Sequence, residues 1–265
     1  MTDSLVSAGI CAAFVGIAIA VVLGSYFVAR MVLGREESER THETAAAVGT
    51  RIATLYGLIL ALVYAQELSD YKDIRSALVE EAVAIADVYN DIRRYGGPDV
   101  VPVQKDIRDY LATAAGAEWD SLGRGKVLSP RAWADWEDVY QRVLDLKPST
   151  DREHFLANRM RDRITTIARL RQTRTAPVGE DFSGVFWPPA IIGLVLLAIP
   201  FYVSRPSRSH LVLLSVFGAY SGVILFFIYA FSNPFQEPAR IEPLAFKRLQ
   251  LDFAKPLPKP ASASQ

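Results

Sequence analysis

The sequence predicts an all-α membrane protein: four transmembrane helices, with a helical, water-facing domain inserted between the second and the third. Three observations predict it. Four windows are apolar enough to cross a bilayer, the stretch between the second and third is densely charged with a helical period, and no strand-like alternation survives a count along the chain. At a rise of about 1.5 Å per residue, a hydrocarbon core of ~30 Å takes about 20 apolar residues. Backbone polar groups in lipid must pair within their own segment, so such windows are helices rather than loops or open strands. The expected layout is residues 1–66 for the first two spans, 67–181 for the inserted domain, 182–232 for the last two spans and 233–265 for a C-terminal segment.

The first span runs from about Leu5 to Val32 and carries no charge before Arg30. Met1-Thr2-Asp3 supplies no basic n-region and the apolar run is too long for a signal peptide, so it reads as an uncleaved anchor. Ala12, Gly16, Ala20 and Gly24 recur every four residues along it, a spacing that lets helix backbones approach closely. The second span, about Ile52 to Ala65, is short; it extends back past Arg51, whose head snorkels toward the headgroups. The third runs from about Phe182 to Val203, with Pro188-Pro189 and Pro200 kinking it or bounding its straight part. The fourth, Leu211 to Phe231, carries a GxxxG pair, Gly218 and Gly222. The partner of these small-residue faces is either internal or another subunit.

No Gly or Pro interrupts Glu67 to Tyr95, so the second span continues into water as one helix and joins the inserted domain mechanically to the bundle. Leu68, Tyr71, Leu78, Ala82, Ile85, Tyr89 and Ile92 form its apolar stripe. Glu81 lies beside that stripe, as either a buried polar tie or a solvated edge charge. Gly96-Gly97-Pro98 ends the helix, and further helices are predicted at about Val101–Leu122, Pro130–Leu146 and Thr150–Arg174. Ser129 caps the second of these with Pro130 at its first position; Ser149, Thr150 or Asp151 caps the third, with Glu153 completing a capping box. Trp133, Trp136 and Tyr140 share a face that reads as core. Arg169, Arg171 and Arg174 belong to an arginine cluster before the third span, which reads as contact with lipid phosphates or, alternatively, as a basic vestibule that concentrates anions.

Chemistry is sparse. Lys+Arg and Asp+Glu are both 29, which gives no electrostatic case for nucleic acid. The single cysteine, Cys11, sits in an apolar run, and His42, His154 and His210 have no second ligand at helical spacing, so neither a metal site nor a cofactor is expected. No glycine-rich phosphate loop or nucleophile elbow is present, so no enzyme is expected. The spans hold no Asp, Glu or Lys at mid-depth, against a proton-coupled transporter.

Four quotable segments carry a family resemblance. TLYGLILALVYAQELSDYKDIRSALVEEAVAIADVY, ending on the Glu81-Ala82 region and beyond, EWDSLGRGKVLSPRAW with Glu118-Trp119, ARLRQTR followed by FWPP, and FSNPFQEPARIEPLAFKRL with Asn233-Pro234-Phe235, Pro243 and Phe246 together resemble the bestrophin-like domain family of multi-pass membrane proteins. The resemblance covers nearly the whole chain. It departs at Gln236-Glu237-Pro238, where a Gly often follows the Pro-Phe pair. True bestrophins are anion channels, typically pentamers. The resemblance therefore implies an oligomeric anion channel whose pore runs along the second helix, lined by Thr54, Gly57, Ala61 and Tyr64. The implied partners are the lipid bilayer, further copies of the chain and inorganic anions, and the implied location is the cell membrane. The alternative is a membrane-anchored interaction or sensor module whose helical domain binds a partner.

Bases flanking the spans give two opposing orientations. Arg30, Arg35, Arg40, Arg205 and Arg208 place the short loops in the cytoplasm, whereas Lys72, Arg75, Arg171, Arg174, Arg240, Lys247 and Arg248 place the inserted domain there, as the resemblance does. The tail Lys255 to Gln265, rich in Pro, Ala and Ser, is expected to be disordered.

Overall fold

A computed structural model describes residues 2–34, 39–124, 128–174 and 182–255, and among them every regular element is helical. The helices are α1 (Thr2–Leu33), α2 (Glu39–Tyr95), α3 (Val100–Thr113), α4 (Trp119–Gly123), α5 (Pro130–Leu144), α6 (Asp151–Thr173), α7 (Phe182–Ala198), α8 (Arg208–Phe231) and α9 (Leu244–Ala254). A π-helical segment, Ala114–Glu118, joins α3 to α4, and a 3-10 turn, Ile199–Val203, extends α7. Four of these helices are long and apolar enough to cross a membrane: α1, α2, α7 with its 3-10 turn, and α8. The chain divides into two compact units.

The first unit takes Met1–Lys72 and Glu180–Arg240. Its core is Ala18, Val22 and Tyr26 of α1, Tyr56 and Leu60 of α2, Ala190, Leu194 and Leu197 of α7, and Leu214, Leu225 and Ile228 of α8. The GxxxG pair finds an internal partner. A Cβ on Gly222 would stand 2.7 Å from Val15 Cα, and one on Gly218 would stand 3.0 Å from Ile19 Cα, so only glycine permits this approach of α8 to α1. Gly193 makes room in the same way for the Tyr56 ring, 2.6 Å from where its Cβ would lie. Arg30 donates to the carbonyls of Tyr202 (3.0 Å) and Ser204 (2.7 Å), and the Tyr26 hydroxyl to Ser204 (2.8 Å), which satisfies carbonyls that the 3-10 turn leaves open.

Helix α2 starts at Glu39, well before the apolar window at Ile52. The intervening Ala45-Ala46-Ala47 run favours helix, and the hydroxyls of Thr44 and Thr50 donate back to the carbonyls of Arg40 and Ala46 at 2.9 Å, so the polar residues cost the helix little. Pro200 and Phe201 cover Gly49.

The second unit takes Asp73–Gly179 and Ile241–Gln265. Gly96 and Gly97 stop α2 with φ of 83° and 81°, a conformation that glycine adopts without a Cβ clash. The Ser129 side chain accepts from Ala132 N at the start of α5. Thr150 caps α6: its Oγ1 accepts from Glu153 N at 3.2 Å, while the Glu153 carboxylate accepts from Thr150 N and Ser149 N. Ile85, Val88 and Ile92 of α2 are buried, as are Val103 and Ile107 of α3, Trp136 and Val139 of α5, and Met160, Ile164 and Ile167 of α6. Trp133, expected in the core, is 40% exposed and Tyr140 is half-buried, so the core reading of that face fits Trp136 alone. Residues from Ile241 onward belong to this unit: Trp119 Nε1 donates to the Ile241 carbonyl at 2.8 Å, Phe246 is buried, and Phe253 stacks on Tyr89 at 3.7 Å. Of the C-terminal tail expected to be disordered, residues 256–265 lie outside the described residues.

Candidate functional site

Helix α2 presents two arcs in the first unit. Tyr56 and Leu60 point into the core, at 5% and 2% exposure. Thr54, Gly57 and Ala61 lie on the other side and are exposed, and a Cβ built on Gly57 meets no atom within 4 Å. The Thr54 hydroxyl donates to the Thr50 carbonyl at 2.9 Å, so the helix absorbs its donor and an apolar methyl remains to face outward. Tyr64 does not share this arc. It is half-buried, with its ring 5.9 Å from that of Phe231 on α8.

In the second unit the acids of α2 meet the arginines of α6. Asp91, fully buried, accepts from Arg159 and from Arg94, and Asp87 pairs with Arg163 at 3.0 Å. Glu81, Glu118, Arg171 and Arg174 are likewise all at most 1% exposed. Arg174 grips Glu81 with Nε and Nη2 and gives Nη1 to Glu118 at 3.0 Å. Arg171 pairs with the other oxygen of Glu118 and donates to the Ala132 carbonyl at 2.9 Å. The Tyr110 hydroxyl donates to Glu81 at 2.7 Å, and Ser129 N donates to Glu118 at 2.9 Å. Two carboxylates and two guanidiniums make the cluster neutral, as burial at low dielectric requires.

Burial pushes the Glu118 carboxyl above its usual range, more strongly than Arg174 and Arg171 pull it down. Burial, reinforced by Glu81, likewise raises the Tyr110 hydroxyl and keeps it a donor. Burial opposes the charge on Arg174, but Glu81, Tyr110 and Glu118 outweigh it and hold the guanidinium protonated. The charged groups of the cluster are matched to one another, and its chemistry is that of a fastener.

The sequence-predicted residues therefore separate. Arg171 and Arg174, expected at a membrane surface or a vestibule, are buried and neutralised, because each falls on the buried stripe of α6 with Met160, Ile164 and Ile167; Arg169 alone of the three is exposed. Glu81 is the buried tie of its two readings. Ala12, Gly16, Ala20 and Gly24 are exposed on α1, away from the α8 contact that Gly218 and Gly222 make. Glu118, Tyr110 and Asp91 were not read as partners. Register was the available signal: Glu118 follows Val103, Ile107, Tyr110, Leu111 and Ala114 on a buried stripe, where an acid needs a base.

A family model described as bestrophin-like domain matches residues 16–246. Two variants of a bacterial bestrophin homolog from Klebsiella pneumoniae share the fold. One is 12% identical with a TM-score of 0.65, covering 91% of this chain and 97% of its own. The other is 11% identical with a TM-score of 0.65, covering 92% and 99%. A structure described only as a variant of a membrane protein matches at 12% identity and a TM-score of 0.56, covering 93% and 98%. No curated protein matches the chain by sequence.

Proposed function

This chain belongs to the bestrophin-like domain family, and from that membership we propose that it is an oligomeric anion channel of the cell membrane, with the second helices of several copies surrounding the pore. The observation that carries the reading is the outward arc of α2. Thr54, Gly57 and Ala61 are exposed, small and uncharged, and no side chain of their own chain covers Gly57. The open side also exposes Leu55, Leu58, Ile59 and Leu62, so over this stretch it is uncharged throughout, and the small residues among them leave free width at the wall of a narrow pore, where side-chain size sets the free diameter. The permeant species in this reading are inorganic anions, and no catalytic step is involved.

The test is conductance of purified protein in planar bilayers, with native mass measurement on the same preparation. The reading expects a ring of copies and an anion current that Gly57→Leu blocks. That substitution meets open space in the single chain, so loss of current would come from the pore and not from misfolding. A strictly monomeric particle, or a current that Gly57→Leu leaves unchanged, would overturn the reading and leave the spans as the anchor of a partner-binding helical domain.

A further inference from the structure

We propose that Arg51 and Lys72 are the charge-selecting residues of the pore, two basic rings that bracket its uncharged wall. The proposal rests on the pore reading above and names the residues that give it a preference for anions. Three observations converge.

The first is register. With about 3.6 residues per turn, Arg51, Gly57, Ala61 and Lys72 all fall within about 60° of Thr54 around the α2 axis. Both bases are exposed, and both lie opposite the buried Tyr56 and Leu60. The second is depth. The interval from Arg51 to Lys72 spans about 31 Å of helix, close to the ~30 Å thickness of a hydrocarbon core. The third is the absence of compensation. Between them the arc holds no acid: Glu67 and Asp70 point elsewhere, Glu67 half-buried and Asp70 accepting from Gln66 at 2.8 Å. Among the described residues neither Arg51 nor Lys72 has an ion-pair partner. The next acid on the arc, Glu43, is about 12 Å beyond Arg51 along the helix.

An unpaired base repeated around a symmetric mouth raises the local anion concentration and opposes cations, and it does so most where low-dielectric walls focus the field. Bases that merely snorkel to lipid headgroups would also bracket the core, but their replacement would not change which ion crosses.

Reversal potentials of the full chain in proteoliposome-derived bilayers, under a potassium chloride gradient, separate these. Arg51→Glu and Lys72→Glu are each expected to move the reversal potential toward the potassium value, with the anion-to-cation permeability ratio falling by about tenfold and the double variant falling further. Arg51→Gln, which removes the charge and keeps a shorter polar side chain, is expected to lose conductance at low salt and to regain most of it at ~1 M, where the screening length is about 3 Å. An unchanged reversal potential in the double variant, with Gly57→Leu still blocking, would overturn this proposal and leave the pore reading standing. If Gly57→Leu has no effect, the pore reading fails and this proposal fails with it.

Discussion

Glu118→Ala is expected to loosen the helical unit strongly, and the structure supplies the magnitude. The carboxylate accepts from Arg171, from Arg174 at 3.0 Å and from Ser129 N at 2.9 Å. Alanine leaves all three donors without it, two of them charged, in a place that water does not reach. Arg171 Nε already has no acceptor. Removing one partner from a buried ion pair costs about 3–5 kcal/mol, and the bonded neighbours do not add independently, so that range serves for the whole site. At about 1.4 kcal/mol per factor of ten, the opening equilibrium rises from about a hundredfold to a few thousandfold.

Amide hydrogen exchange reads this directly, because local opening sets the rate in protected helices. The amides of α6 around Ile164 to Leu170 and of α3 around Ile107 to Leu111 should exchange faster by that factor. Asp109→Ala, which removes an exposed partner of Lys105, should change them little. Adding Arg171→Leu to Glu118→Ala should restore part of the loss, by about 2 kcal/mol, since one orphaned charge is removed with its partner. If Glu118→Ala exchanges within about threefold of the unmodified protein, as an exposed pair would, the buried fastener is refuted.

Gly222→Ala should weaken the α1–α8 contact by about 1–3 kcal/mol, since its Cβ would meet Val15 Cα at 2.7 Å and backbone must move; thermal unfolding in detergent measures it, and Gly16→Ala, into open space, serves as the control. Thr150→Ala should cost about 1 kcal/mol by removing the α6 cap, read as faster exchange in the first turn of that helix. The two glutamates should give opposite pH trends. Glu118 is raised in the folded state, so its contribution to stability grows as pH falls from its folded pKa toward the ordinary carboxylate value, and is lost as pH rises through the folded one. Glu153 is lowered by hydrogen bonds from Ser149 and Thr150, so its contribution is present above the ordinary value and lost as pH falls through its folded pKa. Melting curves from about pH 3 to 7 on Glu118→Gln and Glu153→Gln should each flatten one limb and leave the other.

Length and punctuation made the helices legible. A run without charge from Leu5 to Arg30 can only be buried in lipid or protein, the double glycine ends α2 where it must, and the Ser129-Pro130 and Thr150–Glu153 pairs mark their helix starts. The side on which each helix packs was less legible, because periodicity fixes an arc only when polar and apolar residues alternate, and within a span almost everything is apolar. Tyr64 shows the consequence. It stands at a helical spacing from Thr54, yet the spacing drifts around the axis and carries its ring to Phe231. Gly218 and Gly222 announced a close contact, but nothing in their spacing named Val15 and Ile19 as its other side.

The arginines of the helical unit show why charge counts alone mislead about ion attraction. The region around α6 reads as basic, yet Arg159, Arg163, Arg171 and Arg174 are matched to Asp91, Asp87, Glu118 and Glu81. A paired charge contributes almost no field beyond a few ångströms, and a buried one is also out of reach of a hydrated ion. These residues draw helices together, and they do little to draw anions. Any electrostatic preference for anions must then come from bases that are exposed and unmatched, and along the outward arc of α2 those are Arg51 and Lys72. The same side-chain chemistry therefore does two kinds of work here, and register around the helix axis decides which.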